Sequence, residues 1–345
     1  MFVNSLVNLL INGGFNFWQR GTTFTSVADS AYTADRWKYK KSGTMVHTIS
    51  RSTDVPASAV TPYSLLATVT TAQASLGTTG LCYLQQLVEG NFSYKIYGKK
   101  ICLSFWVKAS KTGTYSVRIA NSAKDRVLVK SFTVNSASTW EQKTIRLSHS
   151  ITGTWNKDTS IGLELSFILG AGSNYNTATD GTWVASDLYA VPTQVNGLDT
   201  IGNTFQLAEV VLVEDNNGQT RVPNFVMAGR NYLDELLLAQ RYFEKSYELD
   251  VAPGTAGASG RIGINAGDAT NALPPVRFST IKRSTPVVVL YNQGTGTSGQ
   301  IRRFTGSSTL AGVASAPSNS TTGDITATVV AGALYDLHFT SDAEL

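Results

Sequence analysis

Aromatic, amide and carboxylate side chains are concentrated between residues 155 and 189, in segments whose Gly, Asn and Thr content predicts loops. Sugar recognition needs aromatic faces that stack on the apolar face of a pyranose ring, and amides and carboxylates that hydrogen-bond its hydroxyls. A tryptophan taken singly is more often a core residue, but the polar loop neighbours favour a binding surface here. The predicted carbohydrate-binding residues are Trp155, Asn156, Asp158, Asn174, Tyr175, Asp180 and Trp183.

The same region carries carboxylates for a second kind of chemistry, glycoside hydrolysis. That reaction needs only two carboxyl groups that face each other across a cleft. The chain shows no short internal repeat of the kind that builds a long parallel β-helix, so a polysaccharide depolymerase is the less favoured alternative. The candidate carboxylates are Asp158, Glu164, Asp180 and Asp187.

The histidines do not predict nucleophilic catalysis. His47, His149 and His338 each lie in strand-like sequence, and no Gly-x-Ser-x-Gly motif accompanies them. We expect structural histidines and assign no catalytic residue. Two cysteines and three histidines are also too few and too scattered for a zinc site.

Composition narrows the class of protein. The 345 residues are 42% hydrophobic and rich in Thr, Ser, Val, Gly and aromatics, which favours β-structure. Charged residues make up 15%, and the net charge of +4 is not gathered into a basic run, so nucleic-acid binding is not expected. The apolar run at 6–11 has no basic region before it and no cleavage site after it, so it predicts a strand and no signal peptide. No segment predicts membrane insertion.

The cysteines, Cys82 and Cys102, both lie in apolar strand-like runs. A disulfide between neighbouring strands is possible, but spacing alone cannot show it. Two buried free thiols, in a protein made in a reducing cytoplasm, are the favoured interpretation.

Alternating patterns predict a β-sandwich domain over residues 1–216. A connector with a helix follows at 217–248, and a second, smaller β-sandwich at 249–345. The helix is predicted over Asn231–Ser246, with an apolar face that packs either between two β-domains or at a trimer axis. The strands predicted in the first domain are Thr44–Ser50, Tyr63–Thr70, Leu81–Leu87, Lys100–Lys108, Gly113–Ile119, Val127–Val134, Glu141–Leu147, Ile161–Leu169 and Gln206–Glu214. Those predicted in the second are Gly260–Asn265, Val276–Ile281, Thr285–Tyr291, Gly299–Phe304, Asp324–Val330 and Leu334–Thr340.

Three separated segments resemble those of bacteriophage tail-fibre and other virion adhesion proteins with a carbohydrate-binding-module-like jelly roll. They are the N-terminal Asn8–Thr22 with Tyr32–Trp37, the strand Gln206–Glu214, and the tract Leu236–Lys245 with the terminus Asp342–Leu345. The first of them is expected to form an opening strand, a Gly13-Gly14 break and a second strand that carries Trp18.

This resemblance implies a non-catalytic tail fibre, head fibre or spike that binds host-surface carbohydrate for attachment. It also implies a homotrimer with other virion proteins as partners, made in the host cytoplasm and displayed on the virion surface. A capsid decoration protein that mainly docks on the virion is the alternative.

No cofactor is expected, although the resemblance allows a structural calcium near the first strand. The usual acidic ligand of that site is replaced by Asn16, which leaves Asp35 and Glu209 as contributors.

Overall fold

The computed structural model describes residues 7–177, 179–215, 223–267, 272–304, 310–315, 319–327 and 329–345. These residues divide into two compact units. The first contains the described residues up to Asn16 and those of Thr23–Asn231. The second contains Phe17–Thr22 and the described residues from Tyr232 to Leu345. Residues 232–248, predicted as part of a connector, therefore lie in the second unit.

The first unit is a β-structure, as the composition predicted. The eight strands predicted between residues 44 and 169 are all present, with ends that differ by at most two residues. The strands are β1 (Thr23–Phe24), β2 (Trp37–Ser42), β3 (Val46–Ser52), β4 (Ser64–Thr71), β5 (Leu81–Glu89), β6 (Lys100–Ala109), β7 (Gly113–Ala120), β8 (Val127–Val134), β9 (Glu141–Ser148), β10 (Ile161–Ala171), β11 (Trp183–Val184) and β12 (Thr204–Glu214). The described residues of this unit also form two short helices, α1 (Gly90–Ser93) between β5 and β6 and α2 (Phe225–Ala228) after β12.

These strands form two antiparallel sheets that pack as a sandwich. The first sheet has the order β1-β3-β4-β12-β6-β9, and the second has the order β11-β8-β7-β10-β5-β2. Phe105 of β6 is fully buried, and its ring lies 4.9 Å from that of Phe167 and 5.1 Å from that of Phe132, both in the second sheet. Edge-to-face ring pairs of this kind add to the hydrophobic burial that holds two sheets together.

The predicted opening strand is wrong, because no strand is present between residues 7 and 22. The Asn8 side chain instead makes hydrogen bonds to β12 of the kind that a neighbouring strand would make. Its amide N–H donates to the Val210 carbonyl (3.0 Å), and its amide oxygen accepts from the Leu212 N–H (2.9 Å). Asn12 and Phe15 then take positive φ values of 57° and 55°, which extended backbone does not allow. A side-chain bond to β12 and two left-handed residues therefore replace the predicted strand pairing.

The second unit forms one hydrogen-bonded network of strands in the order β13-β20-β17-β18-β19-β15, with β14 and β16 also paired to β20. Its core contains Leu290, Ile301 and Leu337, each at most 1% exposed. The helix of this unit is α3 (Tyr232–Gln240). The strands are β13 (Phe243–Lys245), β14 (Ile262–Asn265), β15 (Ala272–Arg277), β16 (Val287–Asn292), β17 (Gln300–Arg303), β18 (Leu310–Ser315), β19 (Thr322–Ala327) and β20 (Leu334–Asp342).

The predicted helix Asn231–Ser246 is too long. α3 ends at Gln240, and β13 then pairs with β20 through Phe243↔Asp342 and Lys245↔Thr340. All three residues of β13 are buried, and the Lys245 ammonium donates to the Leu249 carbonyl at 2.8 Å. Sheet pairing and burial override the helix propensity of these residues, which is a weak preference by comparison.

Prolines also fall where the pattern did not predict them. Pro274 and Pro275 were expected to start a strand, yet they lie inside β15, at the register shift between Leu273 and Val276. Within the described sheet, β15 is an end strand paired with β19, and an irregular end strand tolerates residues that lack an N–H. Among the described residues, no helix is long and apolar enough to cross a membrane.

Candidate functional site

A stacked pair of tyrosines begins the candidate site in the first unit. Tyr94–Ile96 form a single 3-10 turn after α1, closed by a hydrogen bond from the Tyr97 N–H to the Tyr94 carbonyl (3.1 Å). In 3-10 geometry the side chains at i and i+3 eclipse each other. The rings of Tyr94 and Tyr97 are accordingly stacked, 5.0 Å apart and 17° from parallel. Tyr94 is 36% exposed.

A second group of rings continues from this pair. His149 lies 6.0 Å from the Tyr97 ring and 4.1 Å from the Trp155 ring, measured between centroids. Trp155 meets Trp183 edge to face at 5.8 Å. We call Tyr94, Tyr97, His149, Trp155 and Trp183 the aromatic patch. It joins the loop after β5, the loop after β9 and the short strand β11.

Hydrogen bonds fix the orientation of the two indoles. Trp155 donates to the Thr152 carbonyl and Trp183 donates to the Ser148 carbonyl, each at 2.8 Å. Trp155 is only 9% exposed, whereas Trp183 is half-buried. Ile151, whose carbonyl accepts from the Tyr97 hydroxyl, is 68% exposed beside them. The patch thus has a buried base, Trp155 and His149, and accessible rings, Tyr94, Tyr97 and Trp183.

Polar side chains border the patch. The Lys157 ammonium lies 4.4 Å from the centroid of the Tyr94 ring, a cation–π distance. The predicted site residue Asn156 donates to the Ile161 carbonyl (2.9 Å), which fixes the turn between Trp155 and β10. The predicted Asp158 is exposed, and hydrogen bonds from the Ser160 N–H and hydroxyl lower the pKa of its carboxyl.

The other predicted site residues lie on the segment 172–184, outside the contacts that define the patch. Tyr175 packs edge to face on Tyr189, with centroids 5.5 Å apart. Asn174 is exposed, and its N–H donates to the Thr78 carbonyl (3.0 Å). Asp180 pairs with Lys130 (2.9 Å) and accepts from the Ser131 N–H and hydroxyl, which together lower the pKa of its carboxyl against the effect of burial.

A buried arginine connects two of the carboxylates considered for hydrolysis. Arg118 of β7 is inaccessible to solvent and pairs with Glu164 at 2.9 Å and with Asp187. Its guanidinium also lies 4.3 Å from the centroid of the Tyr189 ring. Lys124 forms a further pair with Glu164. Both carboxylates are therefore held in ion pairs with one buried arginine.

The histidines occupy separate positions. Burial lowers the pKa of each one, and that of His47 falls to about 4. His47 Nδ1 lies 2.7 Å from the Tyr39 hydroxyl, and His338 Nδ1 lies 3.0 Å from the Ser246 hydroxyl. His149 belongs to the aromatic patch. Both cysteines are buried and free, which agrees with the favoured interpretation of two thiols.

The described residues contain no group of three His, Cys, Asp or Glu side chains that could hold a metal ion. The Glu209 carboxylate accepts two main-chain hydrogen bonds, from the Val60 N–H (2.6 Å) and the Thr61 N–H (3.2 Å). Asn12 donates to the main-chain carbonyl of Asp35 at 3.0 Å. The structural calcium near the first strand stays a prediction.

Sequence reasoning missed Tyr94 and Tyr97. Their signal is the spacing Tyr-Lys-Ile-Tyr directly after an apolar strand, which places two aromatic rings on one side of a 3-10 turn. The structure brings Trp155 and Trp183 together, and it places Tyr175 in a different aromatic contact.

No protein-family model matches the sequence, and no curated protein matches it. Solved structures with a similar fold include the enzymatically active domain of bacteriophage CBA120 tailspike protein 4 (14% identity, 55% of this chain and 21% of that chain, TM-score 0.33). The module TmCBM61 in complex with β-1,4-galactotriose is similar at 12% identity, over 60% of this chain and 99% of that chain, TM-score 0.31. A family 11 carbohydrate-binding module from Clostridium thermocellum is similar at 14% identity, over 56% and 96%, TM-score 0.30.

The matched part of this chain thus spans about a fifth of the tailspike domain. With TM-scores of 0.33 and below, these similarities carry no argument about ligand or activity.

Proposed function

We propose that the protein binds carbohydrate through the aromatic patch and does so without catalysis, as a bacteriophage virion protein that attaches to the host surface. The observation that carries the binding proposal is the stacked pair Tyr94 and Tyr97, accessible beside Trp183. Such rings offer flat apolar faces to a pyranose. The orientations of Tyr97 and Trp183 are already fixed by hydrogen bonds, so these rings lose little entropy on binding.

The experiment that tests binding is an array of purified bacterial capsular and lipopolysaccharide O-chain polysaccharides, probed with the whole protein. Tyr94→Ala and Trp183→Ala should each weaken binding at least about tenfold, a loss of about 1.4 kcal/mol. Tyr63→Ala is the matched control, since Tyr63 is also half-buried, carries the Arg51 guanidinium 4.4 Å from its ring centroid and is not part of the patch. Equal losses in all three variants, or none in the first two, would remove the patch from the proposal.

The virion role rests on the resemblance of the three sequence segments to phage adhesion proteins. Mass spectrometry of purified virions tests whether the protein is part of the virion. Antibody labelling of intact particles tests whether it lies on the surface, as a tail or head fibre. Capsid decoration is the alternative, and it predicts virion labelling without any effect of Tyr94→Ala on adsorption to host cells.

Assembly as a homotrimer is supported by the exposed face of α3. Leu233 and Leu237, four residues apart on one face, are 68% and 45% exposed, whereas the buried side chains are those of Glu235 and Ala239. Exposed leucines on a helix are costly in water and are covered when copies associate. Light scattering should give a trimer mass, which Leu233→Gln with Leu237→Gln lowers. The control Ile201→Gln changes a residue that is also 68% exposed but lies in the first unit.

We infer the absence of catalysis from the ion pairs that the candidate carboxylates make. Glu164 and Asp187 share Arg118, and Asp180 pairs with Lys130. Hydrogen bonds from Lys130 and Ser131 outweigh burial and lower the pKa of the Asp180 carboxyl, and an ionised carboxylate cannot donate a proton to a leaving glycoside. Incubation with the polysaccharide that binds best should release no reducing ends. Release that is lost in Glu164→Gln would establish the depolymerase alternative.

A further inference from the structure

We propose that the carbohydrate bound at the aromatic patch is acidic, a polysaccharide with carboxylate groups on its sugar residues. The inference rests on the proposed function and adds the chemical class of the ligand. Its basis is the Lys157 ammonium on the Tyr94 ring and three further cationic residues on the segments that carry the patch, for which the described structure shows no salt bridge.

One lysine contacts the tyrosine pair, and a second lies on the turn that carries it. Lys157 lies with its ammonium 4.4 Å from the Tyr94 ring centroid, and the Lys95 ammonium lies 5.7 Å from the centroid of the Phe92 ring. Both lysines are exposed. Contacts to a ring face leave the N–H donors of an ammonium largely available, because the ring attracts the charge without accepting each proton. A carboxylate on a sugar stacked against Tyr94 would find these donors at its edge.

Further cations lie at the tryptophan side of the patch. Lys100 is exposed and pairs in the sheet with Ser148, whose carbonyl accepts from the Trp183 indole. Arg126 donates from Nε to the Thr152 hydroxyl at 2.5 Å, and Thr152 in turn provides the carbonyl bound by Trp155. Cationic residues therefore lie on the segments that carry the tyrosines and on those that carry the tryptophans.

The carboxylates nearby are fewer and are already hydrogen-bonded. Asp158 accepts from the Ser160 N–H (3.0 Å) and hydroxyl, and Asp125 accepts from the Thr154 N–H and hydroxyl at 3.1 and 3.0 Å. Asp158 is thus held by its own loop, whereas Asp125 is held by Thr154 of the loop after β9 and also feels the charge of Arg126. The four cations exceed these carboxylates, which gives the patch a positive potential and favours an anionic ligand. An ammonium and a carboxylate also attract each other as opposite charges, an interaction that a neutral hydroxyl cannot offer.

The test compares two forms of one polymer, polygalacturonate and its fully methyl-esterified derivative, by affinity electrophoresis and calorimetry with the whole protein. Polygalacturonate should bind at least about tenfold more tightly, and this preference should shrink as salt rises from 50 to about 500 mM because exposed charges are screened. Lys95→Met with Lys157→Met should remove the preference, whereas Lys95→Arg with Lys157→Arg should retain it. The Met pair leaves the rings and the methylene stems in place, so folding is not at risk.

Equal binding of the two polymers, or unchanged polygalacturonate binding by the Met pair, overturns the inference while the proposed function stands. Binding of neither polymer, together with no signal on the array of bacterial polysaccharides, overturns the proposed function and the inference with it. Polygalacturonate binding that persists in Tyr94→Ala but is lost in the Met pair also overturns the inference, because the charge effect would then be independent of the patch.

Discussion

The clearest quantitative prediction concerns acid and His47. This residue is 1% exposed on β3, its Nδ1 lies 2.7 Å from the Tyr39 hydroxyl, and the two rings meet edge to face at 5.4 Å. Burial is the main cause that lowers its pKa from 6.5 to about 4, and the positive charge of Lys41 adds to it. Between pH 6.5 and about 4, His47 is therefore neutral in the folded protein but protonated in the unfolded chain.

The sign of the effect follows from proton binding. Between pH 6.5 and about 4 the unfolded state holds more protons at this position, so the free energy of unfolding falls as the pH falls. Each pKa unit is worth about 1.4 kcal/mol, and the full loss is therefore about 3 kcal/mol. The contribution is intact above pH 6.5 and is lost as the pH falls through about 4.

The assay is urea unfolding followed by tryptophan fluorescence at pH 7 and pH 4.5, because urea does not screen charges. His47→Asn keeps an oxygen acceptor near Tyr39 but cannot be protonated, so the loss between the two pH values should be smaller by roughly 2 to 3 kcal/mol than in the wild type. Tyr39→Phe is the control, since it leaves the imidazole buried and should keep most of the pH dependence. An identical loss in His47→Asn and in the wild type would refute the assignment.

Three further predictions follow from close packing and burial. Gly13→Ala should destabilise the first unit by at least about 1 kcal/mol, because its Cβ would collide with the main-chain oxygen of Val210, whereas Gly263→Ala, where a Cβ meets nothing within 4 Å, should lower thermal stability far less. Phe105→Ala should cost about 3 to 5 kcal/mol in urea unfolding, since its fully buried ring bridges both sheets. Burial raises the pKa of the Glu209 carboxyl, so the stability that this one residue contributes should be lost as the pH rises above about 4.5. The difference in melting temperature between wild type and Glu209→Gln should therefore change in favour of the variant from pH 5 to 8, and a constant difference would contradict it.

The strands of the first unit were predictable because their pattern is local. In β6 the alternation of Ile101, Leu103, Phe105 and Val107 assigns one face to the core, and all four are at most 1% exposed. The same alternation, interrupted by turn residues, marked the neighbouring strands with ends correct to within two residues. Where buried and exposed side chains alternate along a strand, the sequence pattern is sufficient to predict that strand.

The errors occurred where distant partners decide local structure. Asn8 bonds β12 across two hundred residues and so replaces a strand, and β20 draws Phe243–Lys245 away from the end of a helix. The exposed leucines of α3 are a further example. An apolar helix face predicts a packing partner, but it does not identify that partner.

The candidate site divides in the same way. The sequence by itself determined that the chain folds into β-sheets, that its loops carry aromatic and amide groups, and that its net charge is small and not clustered. Only the tertiary structure decided that Trp155 and Trp183 meet, that Tyr175 turns to Tyr189 instead, and that Tyr94 and Tyr97 join the patch. The physical reason is that strand periods are set by neighbours two residues apart, whereas the aromatic patch is assembled from loops that only the packing of the strands between them brings together.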